Sequence, residues 1–427
     1  MLGVTRIFDG NKLYSISPDD EEVTISSQDP EDETTITPNK MLYFYEEGYY
    51  FEMDESRFIG NGQFRKKIQY VKLIPKDSEA EIKARELFDR IVSNQSQEGW
   101  FREYEGFDPG YQSLCTYYLA DLYQIRKDLG LLEILSKSID FLSYFMNPDG
   151  SFGGNYGSRS TRFYYPSGVM ALSSDIPLAR AISGRMLKSV SNYTVVTLSS
   201  LDDSNLIPMF NSYCWGAQLE KEMEFKADIN DEKFLFARRP FRKVFSEAGI
   251  VIDAGKRHYT IISTDKGGLF YHYVDGSLEL FNDGLVASDT KGKLSSTQTI
   301  NKNNVVTWMT ENVLIVKSEF FKMPKQLTSP FHFFCLRILC LSVFRWKAIR
   351  EITKRIMVKI LITNRRRLVS SSNERTIHLG KDLSFSDNSQ VPANVRIIAK
   401  NQPFVPIHMA SQGYWQIQDE DEYDSAL

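Results

Sequence analysis

The spacing of apolar residues changes along the chain, and this change constrains the fold more than any other feature of the sequence. Residues 78–225 repeat apolar side chains every three or four positions, as amphipathic helices do. Residues 249–318 instead form short β-branched and aromatic runs separated by glycine turns, which is typical of strands. The sequence therefore predicts α+β architecture with a central helical region and a following β region.

The β region contains six predicted strands, and turns such as DAGK, DKGG and VDGS between them indicate an antiparallel sandwich. The predicted strands are 249–253, 258–263, 269–273, 277–281, 304–309 and 312–318. Before the helices, acidic turn-rich stretches alternate with β-type runs. Three segments follow from this pattern: a β-rich N-terminal segment at 1–76, a helical domain at 77–225 and a β-sandwich domain at 240–427.

Composition and short motifs exclude several classes of function. Lys and Arg number 51 against 55 Asp and Glu, so the net charge of −4 does not indicate a nucleic-acid partner. The four cysteines form no CxxC pair, and the chain has no HExxH, Walker A or dinucleotide-binding GxGxxG motif. We therefore expect no cofactor and no metal.

A basic segment interrupts the β region at 331–367, with ten Lys or Arg and one acid between residues 337 and 367. One interpretation is an amphipathic insertion that makes peripheral contact with an anionic membrane. The alternative, which is the more common for such a pattern, is a solvated charged face packed on the sandwich. The N-terminus lacks the features of a secretory signal, which predicts a cytoplasmic location, and the sequence does not indicate an oligomeric state.

Two loops between the predicted helices concentrate aromatic, charged and glycine residues. They are QEGWFREYEGFDPGYQ at 97–112 and NPDGSFGGNYGSRSTRFYYP at 147–166. Aromatic rings can stack on a sugar, and Arg or carboxylate groups can pair with its polar groups. The predicted substrate contacts are Trp100, Glu103, Tyr104, Asp108, Tyr111 and Arg162. In the alternative interpretation, the turns end helices and the aromatic rings only pack against helix ends.

The two loops, with FSEAGIVI and KGGLF in the β region, resemble the heparinase II/III-like proteins over roughly residues 78–320. These are polysaccharide lyases and their relatives, some encoded among bacterial capsule or O-antigen genes. The resemblance implies an α/α toroid followed by an antiparallel β-sandwich, acting on an acidic, uronate-containing surface polysaccharide. A complete toroid needs about 300 residues, so residues 78–225 predict a partial one.

The same resemblance implies β-elimination, which needs a group on the uronate carboxylate, a base and an acid. Tyr156 would act as acid or base, Asn155 and Arg159 would bind the carboxylate, and His258 would be the second proton carrier. His272 is equally eligible by spacing.

Two other functions stay open at this point. One is a non-catalytic carbohydrate-binding or polysaccharide assembly and export protein. The other is hydrolysis by a carboxylate pair, for which Glu103 and Asp108 are candidates.

Overall fold

Strands, helices and again strands follow one another in the computed structural model, an α+β protein with antiparallel sheets. The chain divides into two units, Met1–Ser93 and Asn94–Leu427. The structure describes residues 5–8, 12–17, 22–27, 49–55, 68–75, 78–159, 161–198, 203–223, 240–322, 334–335, 337–339, 353 and 367–399.

The described residues of the first unit form a three-stranded sheet, a hairpin and a helix. The sheet consists of β1 (Thr5–Phe8), β2 (Lys12–Ser17) and β3 (Glu22–Ser27), and the hairpin of β4 (Tyr49–Glu55) and β5 (Ile68–Pro75). Helix α1 (Ser78–Val92) contacts β5 and falls within this unit. The division between the units therefore lies after α1, whereas the sequence-based boundary at residue 76 lies before it.

Five helices open the second unit. They are α2 (Pro109–Ile125), α3 (Leu131–Leu142), α4 (Pro166–Ala171), α5 (Pro177–Ser191) and α6 (Asp203–Met223). Three of them begin with proline, whose fixed φ suits the first helical position and whose missing N–H costs nothing there. The short α4 contacts α2, α5 and α6, so the helices pack around it. No described helix combines the length and the apolar character needed to cross a membrane.

The strands of the second unit form two antiparallel sheets. The first, in the order β10-β9-β8-β7-β6, consists of β6 (Phe241–Phe245), β7 (Ile250–Ala254), β8 (His258–Ser263), β9 (Leu269–Val274) and β10 (Ser277–Asn282). The second has the order β16-β15-β14-β12-β11-β17, with β13 also paired to β14. Its strands are β11 (Val286–Asp289), β12 (Leu294–Ser296), β13 (Val305–Thr310), β14 (Val313–Lys322), β15 (Arg367–His378), β16 (Ser384–Gln390) and β17 (Val395–Ala399).

The six predicted strands are confirmed, with small differences at their ends, as β7 to β10, β13 and β14. Of the basic segment at 331–367, the structure describes only residues 334–335, 337–339, 353 and 367. The predicted amphipathic insertion and its membrane contact therefore lie almost wholly outside the described residues.

The five-stranded sheet is the middle layer of the second unit because both of its faces are apolar. On one face, Ile250, Ile252 and Ile261 belong to the same buried cluster as the helix-side residues Phe107 and Phe141. On the other face, Val251, Ile262 and Phe270 pack with side chains of the seven-stranded sheet and of its β15–β16 turn. These are Leu314, Val316 and Ile377 of the strands and Leu379 and Leu383 of the turn. Alternation along each strand sends successive side chains to opposite layers.

The layered core predicts a large difference between two Phe→Ala variants. Phe270 is completely buried between the sheets, with its ring centroid 5.1 Å from that of Phe385, whereas Phe210 on α6 is 51% exposed. We expect Phe270→Ala to lower the free energy of unfolding by about 3–5 kcal/mol, and Phe210→Ala to change it by about 0.5 kcal/mol or less. Urea titrations of both variants measure this, and equal losses would contradict the layer arrangement.

Candidate functional site

Asp108 connects the two predicted sugar-binding loops. It is the N-cap of α2, where Oδ1 accepts a hydrogen bond from the Tyr111 amide at 3.2 Å. Its other oxygen accepts bonds from the backbone amides of Arg159 at 3.0 Å and Thr161 at 3.3 Å, and the Thr161 hydroxyl donates to Oδ1. Burial raises the pKa of this carboxyl, and these hydrogen bonds oppose the shift. Asp108 therefore holds the second loop to the start of a helix.

Arg159 of the second loop inserts between two tyrosines of the first. Its guanidinium carbon lies 4.7 Å from the centre of the Tyr104 ring and 4.6 Å from that of Tyr111. Nη1 donates to Glu103, and Nη2 donates to the Tyr111 hydroxyl at 3.3 Å. Burial raises the pKa of Glu103, although Arg159 opposes the shift. Because the Arg159 side chain is only 3% exposed, this cluster joins the loops and leaves little guanidinium surface for a ligand.

Tyr156 and Asn155 are buried residues of the second loop. Tyr156 is 1% exposed, and its ring packs against Phe145 and Tyr271 with centroid distances of 5.5 and 5.8 Å. Its hydroxyl donates to Asn147 at 3.4 Å, and burial raises its pKa well above the usual value. Asn155 is also buried, and its carbonyl accepts a hydrogen bond from the buried Lys266 ammonium at 2.5 Å. Tyr156, the predicted proton carrier, is therefore enclosed by packed side chains and is not accessible to a substrate.

The remaining predicted contacts of the loops are also part of the packing. Trp100 is 5% exposed in the same buried cluster as Tyr156, and its indole nitrogen donates to Glu98 at 3.1 Å. Arg162 is partly buried and hydrogen-bonds the Tyr271 hydroxyl, which in turn donates to Asp283 at 2.6 Å. The loops thus face the sheet, and their side chains fill the space against it.

His258 does not meet these residues, because it lies on the other face of the sheet. Along β8, Tyr259 and Ile261 belong to the helix-side cluster, so His258 shares the opposite face with Ile262. His272 on β9 alternates in the same way and is bound to Thr260 at 2.7 Å and to the Lys381 carbonyl at 2.9 Å. The structure therefore separates Tyr156, Asn155 and Arg159 from both eligible histidines.

A cavity of about 570 Å³ opens beside His258, where three turns meet the first residues of β6. The turns are β7–β8, β13–β14 and β15–β16. The lining residues are Pro240, Phe241, Arg242, Asp253, Ala254, Gly255, His258, Glu311, Asn312, Leu379 and Gly380. Its volume falls within the range of about 300–1,000 Å³ that is usual for small-molecule sites. No residue of the two aromatic loops lines this cavity.

A hydrogen-bonded row of three side chains forms one wall of this cavity. Asp253 lies opposite Arg242 in the β6–β7 pair, and its Oδ1 accepts from Nε at 2.8 Å and from Nη2 at 2.6 Å. The other oxygen, Oδ2, lies 2.9 Å from Nε2 of His258. Because an ionised carboxylate only accepts, Nε2 carries a proton in this bond, and in the neutral form of the imidazole the acceptor is then Nδ1. Among the described residues, none bonds to Nδ1.

Gly255 and Trp308 complete the site. A Cβ atom at Gly255 would collide with the His258 ring, so this position must be glycine for the imidazole to lie as it does. Trp308 of β13 is 37% exposed, and its ring centre lies 5.3 Å from the Arg242 guanidinium carbon. An oriented imidazole with a free acceptor, beside amide and aromatic surface, can bind hydroxyl groups or accept a proton from one.

Sequence reasoning missed Arg242, Asp253, Asn312 and Trp308. Asp253 could have been identified from the sequence, because a carboxylate inside the buried strand IVIDA requires hydrogen-bond or charge partners. The partners could not be found in this way, because the pairing of Arg242 with Asp253 depends on the register of β6 and β7, and Asn312 comes from the distant β13–β14 turn. Within the described ranges, no group of three or more His, Cys, Asp or Glu side chains is arranged to hold a metal ion.

Comparisons of this chain with protein-family models, with curated proteins and with solved structures find no match. The similarity to heparinase II/III-like proteins therefore stays a hypothesis based on the loop and strand motifs.

The position of Asp108 predicts a strong effect on stability. Asp108→Ala removes a helix cap and leaves buried donors of the second loop without partners. We expect the free energy of unfolding to fall by about 3 kcal/mol. Asp121→Ala, at an exposed position in the same helix, is the matched control and should cost about 0.5 kcal/mol or less. Denaturant titration measures both, and a small effect at Asp108 would show that its hydrogen bonds do not hold the loops.

Proposed function

We propose that this chain is a carbohydrate-binding protein whose sugar site is the cavity at the ends of the two sheets. Its proposed architecture is that of the heparinase II/III-like proteins, with a partial α/α toroid followed by a β-sandwich. Helices packed around α4, and two sheets sharing one apolar layer, support that architecture. The observation that carries the proposal is the polar wall of Arg242, His258 and Asn312 in one cavity, with the ring of Trp308 against the Arg242 guanidinium.

Each of these groups suits a sugar ring. The exposed face of Trp308 can pack on the apolar side of a pyranose. The Asn312 Oδ1 accepts from Arg242 at 3.1 Å, which leaves its amide hydrogens as donors. Nδ1 of His258 is an acceptor. Sugar hydroxyls both donate and accept, so a site that offers both kinds of partner and an aromatic platform can orient them.

In this proposal the aromatic loops have a structural role. Asp108 and Arg159 join the two loops to each other, Tyr156 packs on Tyr271 of the five-stranded sheet, and the burial of all three leaves little room there for a glycan. Hydrolysis by Glu103 and Asp108 is also disfavoured, since Asp108 is 1% exposed and accepts four hydrogen bonds. The aromatic composition of the two loops then reflects their packing against the sheet.

A second candidate function is β-elimination on a uronate-containing polysaccharide, with the cavity as its site. One observation favours it, namely the hydrogen bond that orients His258 through Asp253. Arg242 or Asn312 would then bind the uronate carboxylate, and His258 would remove the C5 proton next to it. As the C4=C5 bond forms and the C4–O bond breaks, the protonated His258 would return that proton to the departing oxygen. The acidic polysaccharide expected from the sequence belongs to this candidate.

Glycan binding is tested with Trp308→Ala. Losing the aromatic platform should weaken binding of a retained polysaccharide about tenfold, equivalent to about 1.4 kcal/mol. Met309→Ala is the matched control, because Met309 neighbours Trp308 in the same strand, is 66% exposed and has no ring to stack on a sugar. Affinity electrophoresis against a set of bacterial polysaccharides measures both. Equal affinities for wild type and Trp308→Ala would exclude the cavity as the binding site.

The lyase candidate is tested with His258→Gln. For a binding protein we expect no unsaturated uronate when wild type is incubated with uronate polymers, as monitored by ultraviolet absorbance. If the absorbance does rise, and His258→Gln abolishes the rise while the polymer is still retained, β-elimination replaces simple binding as the function.

A further inference from the structure

The charges and hydrogen bonds of the cavity also indicate which class of sugar it accepts. We infer, on the basis of the proposed function, that the site takes a sugar residue without a carboxylate group and discriminates against the corresponding hexuronate. This would make the ligand a neutral glycan segment, in contrast to the acidic polysaccharide expected from the sequence.

The first step of the inference concerns Arg242, the cation that lines the cavity. A guanidinium has five N–H groups and recognises a carboxylate best through two parallel ones. Nε donates to Asp253, both hydrogens of Nη2 are used by Asp253 and Asn312, and Nη1 donates to the Glu311 carbonyl. One N–H remains, so Arg242 cannot form a bidentate pair with a uronate while these bonds persist.

The second step concerns the balance of charge. With His258 in its neutral form, which carries the proton on Nε2, Arg242 is opposed among the lining residues by the carboxylates of Asp253 and Glu311. One positive charge against two negative charges leaves the wall of the cavity negative. A uronate would add a third carboxylate at short range, where the repulsion is only partly screened.

The third step concerns the hydrogen-bond groups left for a ligand. The Nδ1 lone pair of His258 and the Glu311 carboxylate are acceptors, and the Asn312 amide is a donor. Sugar hydroxyls can donate to the two acceptors, whereas a carboxylate has no hydrogen to donate. The unused groups therefore match a ring that carries hydroxyls in place of an acid.

The experiment compares matched oligosaccharides that differ only in the oxidation of C6: galactose with galacturonate, glucose with glucuronate, and mannose with mannuronate. Equilibrium binding by calorimetry should show that at least one neutral member binds, and that its uronate partner binds at least about tenfold more weakly. Methyl esterification removes the charge of the uronate and should restore most of the affinity. Higher ionic strength should narrow the difference.

Glu311→Gln tests the charge argument directly, because Glu311 is exposed and the change keeps the side-chain shape. The variant should reduce the discrimination against the uronate at least about threefold. Glu279→Gln is the control, since Glu279 is exposed on β10 at the opposite edge of the sheet from β6. Trp308→Ala should weaken binding of the neutral oligosaccharide.

The outcomes separate the two proposals. If the uronate members bind as tightly as the neutral ones or more tightly, and Trp308→Ala weakens that binding, the inference is wrong and the glycan site stands. If no member of any pair binds, or if Trp308→Ala leaves the binding unchanged, the proposed site fails and the inference falls with it. Unchanged discrimination in Glu311→Gln would overturn the charge argument alone.

Discussion

Burial of both faces of the five-stranded sheet is the constraint on which the second unit depends. Neighbouring residues of β7 serve different layers: Ile250 and Ile252 join the helix-side cluster, and Val251 between them joins the cluster of the seven-stranded sheet. A strand provides this division through its pleat alone. The sheet consequently fixes the helical loops on one side and the second sheet on the other, and the candidate site lies where this second interface ends.

The existence of these strands could be predicted from the sequence, but their partners could not. The run IVIDA in β7 and the run TIIS in β8 are apolar without clear alternation, which indicates a strand buried on both faces. Such a run shows that neighbouring residues of the strand point to opposite faces of the sheet. It does not show which part of the protein packs on either face. This is why His258 could be placed beside Tyr156 in the sequence analysis, although the structure puts them on opposite faces.

The two aromatic loops illustrate a second limit. Aromatic rings, arginines and carboxylates line glycan clefts, and the same groups join two packed layers when every polar atom finds a partner. Asp108 before Pro109 is recognisable as a helix N-cap from local sequence. The bonds of the Lys266 ammonium to the carbonyls of Asn155 and Gly157 cannot be recognised from local sequence, because Lys266 lies far along the chain from both residues. Burial, which decides between cleft and junction, is a property of the assembled layers.

The candidate site combines parts that are close in space because of strand register. Arg242 meets Asp253 because β6 and β7 pair at those residues, and it reaches Asn312 because the β13–β14 turn ends beside that edge. These residues belong to turns and strand ends, where side chains can change without altering the apolar layers. The loops that carry the most aromatic character stabilise the fold, whereas the sparser polar residues at the ends of the sheets are available for recognition. Under the proposed function, a division of this kind lets ligand specificity change while the helix–sheet junction stays intact.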